Sequence, residues 1–155
     1  MTNAAELIRI DRSIEIGAPA ERVWQALTDA AELSAWFQVS IDGEIAPGSE
    51  VWMTSVLPGH AGQRFLVRFA ELSFPRRVVW QWHPGEVDPG VDYSREPRTT
   101  VTFDLQPIDG GTRLVVSETG FDQIALERRA KVYEDNRQGW AEVLVWLRTH
   151  VEARA

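Results

Sequence analysis

Between Val39 and Thr119 the chain carries six β-patterned segments in succession, with no helical period to separate them. They cover residues 39–45, 50–56, 64–72, 78–83, 99–105 and 113–119. Pro47-Gly48, Pro58-Gly59, Phe74-Pro75, Pro84-Gly85 and Asp109-Gly110-Gly111 supply turn chemistry between them. Parallel pairing needs a crossover of a dozen or more residues, usually a helix, so strands joined this directly pair antiparallel. A sheet of that extent must bury one face. The segment suited to cover it is 131–151, where Tyr133, Asn136, Trp140, Val143, Leu144, Leu147 and Val151 share one face at helical spacing. Residues 121–129 either extend this helix or form a separate turn.

Before the six strands, residues 7–16 alternate strictly. Ile8, Ile10, Ile14 and Ile16 face one way, and Arg12 is the exception among them. Ala18-Pro19 ends this strand and opens a short helix over 19–28 with the proline at its first position. Asp29 and Glu32 then form the pattern of a capping box for a second short helix ending near Trp36-Phe37.

Composition removes several classes of function. The 155 residues contain no cysteine, which excludes disulfides, thiolate nucleophiles and Cys-ligated metal centres. The net charge of −7 argues against nucleic acid or an anionic membrane as partner. The longest stretch without a charged residue, 51–63, is broken by Pro58, Gly59 and Gly62, and is shorter than the ~20 apolar residues of a spanning helix. With no signal-peptide pattern at the N-terminus, a cytoplasmic protein of one domain, residues 1–155, is expected, without membrane insertion.

The order strand, two short helices, six strands, long helix resembles the helix-grip superfamily of START-like (SRPBCC) domains, and most closely its heat-shock-protein-90 ATPase activator homologues. The resemblance lies in Ile14-Glu15-Ile16-Gly17-Ala18-Pro19, continuing through Val23-Trp24 and Leu27-Thr28-Asp29 to Trp36-Phe37. It extends over Pro47-Gly48, Pro75-Arg76-Arg77-Val78-Val79-Trp80, Gly111-Thr112-Arg113-Leu114, Thr119-Gly120-Phe121 and Gly139-Trp140. It implies an α+β fold, a curved antiparallel sheet of about seven strands wrapped around the C-terminal helix. It also implies an apolar cavity between sheet and helix that takes a hydrophobic small molecule, aromatic or lipid-like. Relatives of that superfamily include cyclases, aromatase-like enzymes and lipid carriers, and the branch name implies a chaperone partner.

Candidate site residues follow from strand parity and helical phase. Phe65, Val67 and Phe69 share one strand face; Val78, Trp80 and Trp82 share another; Val101, Phe103 and Leu105 a third. With Tyr133 and Trp140 they form an aromatic interior, read either as solid core or as pocket lining. An empty cavity of about 300 Å3 would cost roughly 7 kcal/mol, so any cavity must be small, filled or partly polar. Glu118 has the parity of Leu114 and Val116, and Asn136 lies in the middle of the helix's apolar face. Two readings are open for each. Glu118 either reaches solvent at a fraying strand end or, with Asn136, orients a ligand; Asn136 alternatively bonds a strand end. A buried Glu118 is also the one weak candidate for a catalytic base in a cyclase, dehydratase or hydrolase.

The remaining features are secondary. His60, His83 and His150 have no metal-ligand spacing, so neither a metal nor any other cofactor is expected. His150 is explained by the dipole of the helix end. Gly139 suggests a close approach to the helix or a kink. Residues 84–98 form a long connection, a lid or a spacer. Val145 and Trp146 lie off the main apolar face and mark a candidate homodimer contact.

Overall fold

A computed structural model describes residues 9–84 and 92–153. Seven antiparallel strands form one sheet: β1 (Arg9–Ile16), β2 (Val39–Asp42), β3 (Glu50–Ser55), β4 (Arg64–Ser73), β5 (Arg77–Trp82), β6 (Thr99–Ile108) and β7 (Gly111–Thr119). Their spatial order is β1-β7-β6-β5-β4-β3-β2, so six strands form a meander and β1 closes the far edge against β7. The helices are α1 (Ala20–Thr28), α2 (Ala30–Phe37) and α3 (Leu126–Glu152), with a single 3-10 turn at Phe121–Gln123. Both readings of residues 121–129 therefore hold in part. The first three form a separate turn, and α3 starts five residues earlier than its periodicity predicts.

Alternation sets the core face. Val51 and Met53 of β3, Val67 and Phe69 of β4, Val78 and Trp80 of β5, Val101 and Phe103 of β6, and Leu114 and Val116 of β7 are all buried. A β-bulge between Phe69 and Glu71 shifts the phase of β4 by one residue. The bulge lets Leu72, opposite Val78, pack on the same core as Phe69, opposite Trp80. α3 covers this face with Val132, Trp140, Leu144, Leu147 and Val151.

The short helices differ from expectation in detail. Pro19 is the N-cap of α1, not its first helical residue. Asp29 caps α2 by accepting from the Glu32 N–H at 3.0 Å, but Glu32 does not complete the box. Its carboxylate is buried between Arg22 at 2.8 Å and His150 at 2.9 Å. His150 is thus the α3 end of a polar cluster that ties all three helices together, a tertiary role that the helix dipole did not foretell. Arg12 sits half-buried on edge strand β1 and donates to the Arg137 carbonyl at 3.1–3.2 Å.

No helix among the described residues is long and apolar enough to cross a membrane. Of residues 84–98, those at 85–91, the middle of the candidate lid, lie outside the described residues. The part after them packs down: Glu96 pairs with Arg128 at 2.7 Å, and Arg98 with Glu50 at 2.8 Å. Val145 is exposed and Trp146 half-buried, both off the face that α3 lays on the sheet.

Candidate functional site

Strand register and α3 together bring four donors onto one buried carboxylate. Glu118 lies opposite Val101, and Trp82 lies opposite Thr99, so Thr99 is the diagonal neighbour of Glu118 and the three polar-tipped side chains run across β5, β6 and β7 on the inner face. α3 crosses above them with Asn136 and Trp140 one turn apart. Glu118 is 0% exposed. One carboxylate oxygen accepts from Trp140 Nε1 at 2.8 Å and Asn136 Nδ2 at 3.0 Å. The other accepts from Trp82 Nε1 at 2.9 Å, from Thr99 Oγ1 at 2.5 Å, and again from Asn136 Nδ2 at 3.2 Å. The solvent-exposed reading of Glu118 is overturned, and Asn136 bonds this carboxylate, not a strand end. A carboxylate has about four lone-pair positions. All are occupied.

Thr99 was visible as a polar residue with the parity of Val101 and Phe103, the same signal that singled out Glu118. Its position at the first residue of a strand concealed it.

The aromatic residues divide by depth. Val67, Phe69, Trp80 and Phe103 are all 0% exposed. Trp80 packs on Phe69, Phe103 and Trp140 with ring centroids 5.9, 5.0 and 6.3 Å away. These four fill the interior and line neither of the two openings described next. Tyr133 is half-buried, packs edge-on against Phe121, and donates its hydroxyl to the Arg9 carbonyl at 3.1 Å. It ties α3 to edge strand β1.

The openings lie where β4 and β5 meet α2 and α3. A cleft of about 570 Å3 is walled by Phe37, Phe65 and Trp82, with His60, Gln63, His83, Lys131, Asp135 and Asn136 around it. A niche of about 100 Å3 bounded by Gly139, Trp140 and Val143 shares Phe37, Trp82, Asp135 and Asn136 with it. Trp82 stacks on Phe37 at 6.3 Å and meets Phe65 edge-on at 5.6 Å. Of the residues read as pocket lining, Phe65, Trp82, Asn136 and Trp140 come together here, with the Glu118 carboxylate behind Trp82 and Asn136. Phe37, His60 and His83 were not foreseen as neighbours, because loop and helix ends bring them in. A separate cleft of about 550 Å3, lined by Pro19, Arg76, Pro107, Gly110 and others beside the β6–β7 hairpin, contains no aromatic ring.

At Gly139 the close-approach reading is overturned. A Cβ there would meet nothing within 4 Å, so no element approaches closely. The missing side chain leaves the niche open instead.

Burial, reinforced by the nearby Arg98 charge, holds the His83 imidazole below its ordinary pKa of 6.5. The neutral form is therefore favoured in the folded state. Its contribution to stability is complete above pH 6.5 and declines as pH falls from there towards the depressed folded value. Urea midpoints between pH 7.5 and 5.5 are expected to fall less in His83→Gln than in the parent chain; equal slopes would refute this.

A seven-stranded antiparallel sheet gripping one long helix, with its openings at the sheet–helix seam, defines a helix-grip, START-like domain. The family model described as Activator of Hsp90 ATPase homolog 1-like protein matches residues 17–152, and the chain belongs to that family. Solved structures agree in fold. Protein MLL2253 from Mesorhizobium loti is 24% identical with a TM-score of 0.74, covering 95% of this chain and 98% of its own. CalU16 from Micromonospora echinospora is 21% identical with a TM-score of 0.64, over 92% of this chain and 75% of its own. DynU16, from the dynemicin biosynthetic locus, is 19% identical with a TM-score of 0.71, over 93% of this chain but 47% of its own. A search of curated proteins finds no match.

Proposed function

We propose that the protein binds a hydrophobic small molecule in the cleft between β4, β5 and α3, without transforming it. The observation that carries this reading is the contiguous cleft and niche. They are walled by four aromatic side chains, Phe37, Phe65, Trp82 and Trp140, and bordered by a few fixed polar groups, in the size range of small-molecule sites. The solid packing around Trp80 and Phe103 moves the site from the middle of the interior to its open end.

Glu118 does not favour the catalytic alternative. Its oxygens are already occupied by two indole N–H groups, the Asn136 amide and the Thr99 hydroxyl, which leaves no free position facing a substrate. It is better read as a positioning residue for Trp82 and Asn136. The chaperone reading draws on the family description, and it requires stimulation of a cognate Hsp90 ATPase by the purified chain.

The test is a titration with the neutral fluorophore N-phenyl-naphthylamine. A ligand of about 20 heavy atoms at roughly −0.3 kcal/mol per atom gives a Kd in the tens of micromolar. Gly139→Leu places a side chain in the niche and is expected to weaken binding about tenfold. Gly139→Ala, unobstructed and helical, is expected to gain about 1 kcal/mol in urea unfolding. Absence of saturable binding, or binding indifferent to Gly139→Leu, would overturn the proposal.

A further inference from the structure

We infer that the cleft selects an uncharged aromatic ligand bearing a hydrogen-bond donor, a phenol or arylamine, and that Asn136 determines this selectivity. The inference rests on the binding reading above and specifies its ligand.

The orientation of the Asn136 amide is dictated by its partner. Its Nδ2 lies 3.0 and 3.2 Å from the two oxygens of Glu118. The alternative orientation would set Oδ1 against a carboxylate already receiving two indole N–H groups, oxygen against oxygen in a buried site. The amide nitrogen is therefore committed inward. Oδ1 takes no hydrogen bond from any described residue, and it is the atom that Asn136 has left for the cleft it lines. An amide oxygen only accepts, so the ligand must donate.

Charge points the same way. Glu118 places a carboxylate directly behind Asn136 and Trp82. His83 is held towards its neutral form by burial, and Lys131 is occupied by Asp135 at 2.8 Å. His60 and Gln63 complete the polar lining. A carboxylate ligand would bring no donor to Oδ1 and would lie close to the Glu118 carboxylate. A plain aromatic ether would fill the Phe37–Phe65–Trp82 walls but leave Oδ1 dry and unpaired, which is penalised more heavily than a lost contact.

Naphthol, its methyl ether and naphthoate, titrated by calorimetry and followed through the indole N–H resonances of Trp82 and Trp140, distinguish the outcomes. Naphthol is expected to bind about tenfold more tightly than the ether, with naphthoate the weakest. In Asn136→Ala the ether's affinity is expected to change little, while the naphthol advantage disappears. In Glu118→Gln the side-chain amide becomes a donor towards Asn136, the Asn136 amide turns over, and the preference for donors is lost or reversed. The ranking on the parent chain is decisive even if a variant does not fold. Equal binding of naphthol and ether, or a preference for naphthoate, with both indole signals moving, would overturn the inference and leave the binding reading intact. No binding by any of the three would overturn both.

Discussion

Glu118→Ala is expected to unfold more readily than the parent chain by roughly 3–5 kcal/mol. The side chain is fully buried, and its removal strands the Trp82 and Trp140 indole N–H groups, the Thr99 hydroxyl and the Asn136 amide around a void. Each buried donor left unpaired costs about 1–3 kcal/mol, partly relieved where water enters from the niche. At 2–4 °C per kcal/mol for a domain of this size, the Tm should fall by about 6–20 °C. Glu118→Gln retains the volume and one acceptor oxygen but turns an N–H2 towards existing donors, so an intermediate loss of about 2 kcal/mol is expected. Urea and thermal unfolding of the three chains measure both. A loss below about 1 kcal/mol in Glu118→Ala would show that the carboxylate does not organise the seam.

The second large effect is expected at Gly111, and its cause is steric. A Cβ at that position would stand 2.1 Å from the Ile16 carbonyl oxygen and 3.0 Å from its carbon. The β1 end cannot easily retreat. Thr112 Oγ1 donates to the Ala18 carbonyl at 2.8 Å, and the Gly17 N–H is held by Glu152 at 2.8 Å. Gly111→Ala should therefore cost about 3 kcal/mol, at the upper end of overpacking effects. Its neighbour provides the control. Gly110 has φ +80° with open space around it, so Gly110→Ala carries only the left-handed backbone penalty of about 1 kcal/mol. Equal losses at the two positions would refute the steric account.

Much of the fold was legible in the chain, and particular elements show why. The Ile10 to Ile16 alternation, the run of β-patterned segments and the 3.6-residue stripe on α3 are each set by a local period. Those periods hold because burying one face governs the element. Where two local rules compete, legibility ended. The β4 bulge keeps both Phe69 and Leu72 on the core, which strict parity forbids. Glu32 has the sequence of a capping box, yet its carboxylate goes to Arg22 and His150, which α1 and α3 bring against it.

The candidate site was legible as a list and not as a place. Glu118 and Asn136 stood out because a polar group on an apolar face needs a partner. That they partner each other depends on how far α3 slides along the sheet, which no local pattern encodes. Phe37 and His83 reach the cleft from an α2 end and a strand end, where periodicity carries no information. Gly139 was noticed for a missing side chain, but only the surroundings decide whether that absence admits a neighbour or leaves a space.

By itself the sequence determined the element order, the antiparallel sheet, the buried face of β1, β5, β6 and β7 and the exclusion of thiol chemistry, since all of these follow from local period and residue chemistry. Tertiary structure alone decided that Trp80 and Phe103 are core while Trp82 and Phe65 are wall. All four share the same inward parity. What separates them is their distance from the seam where α2, α3 and the ends of β4 and β5 fail to close.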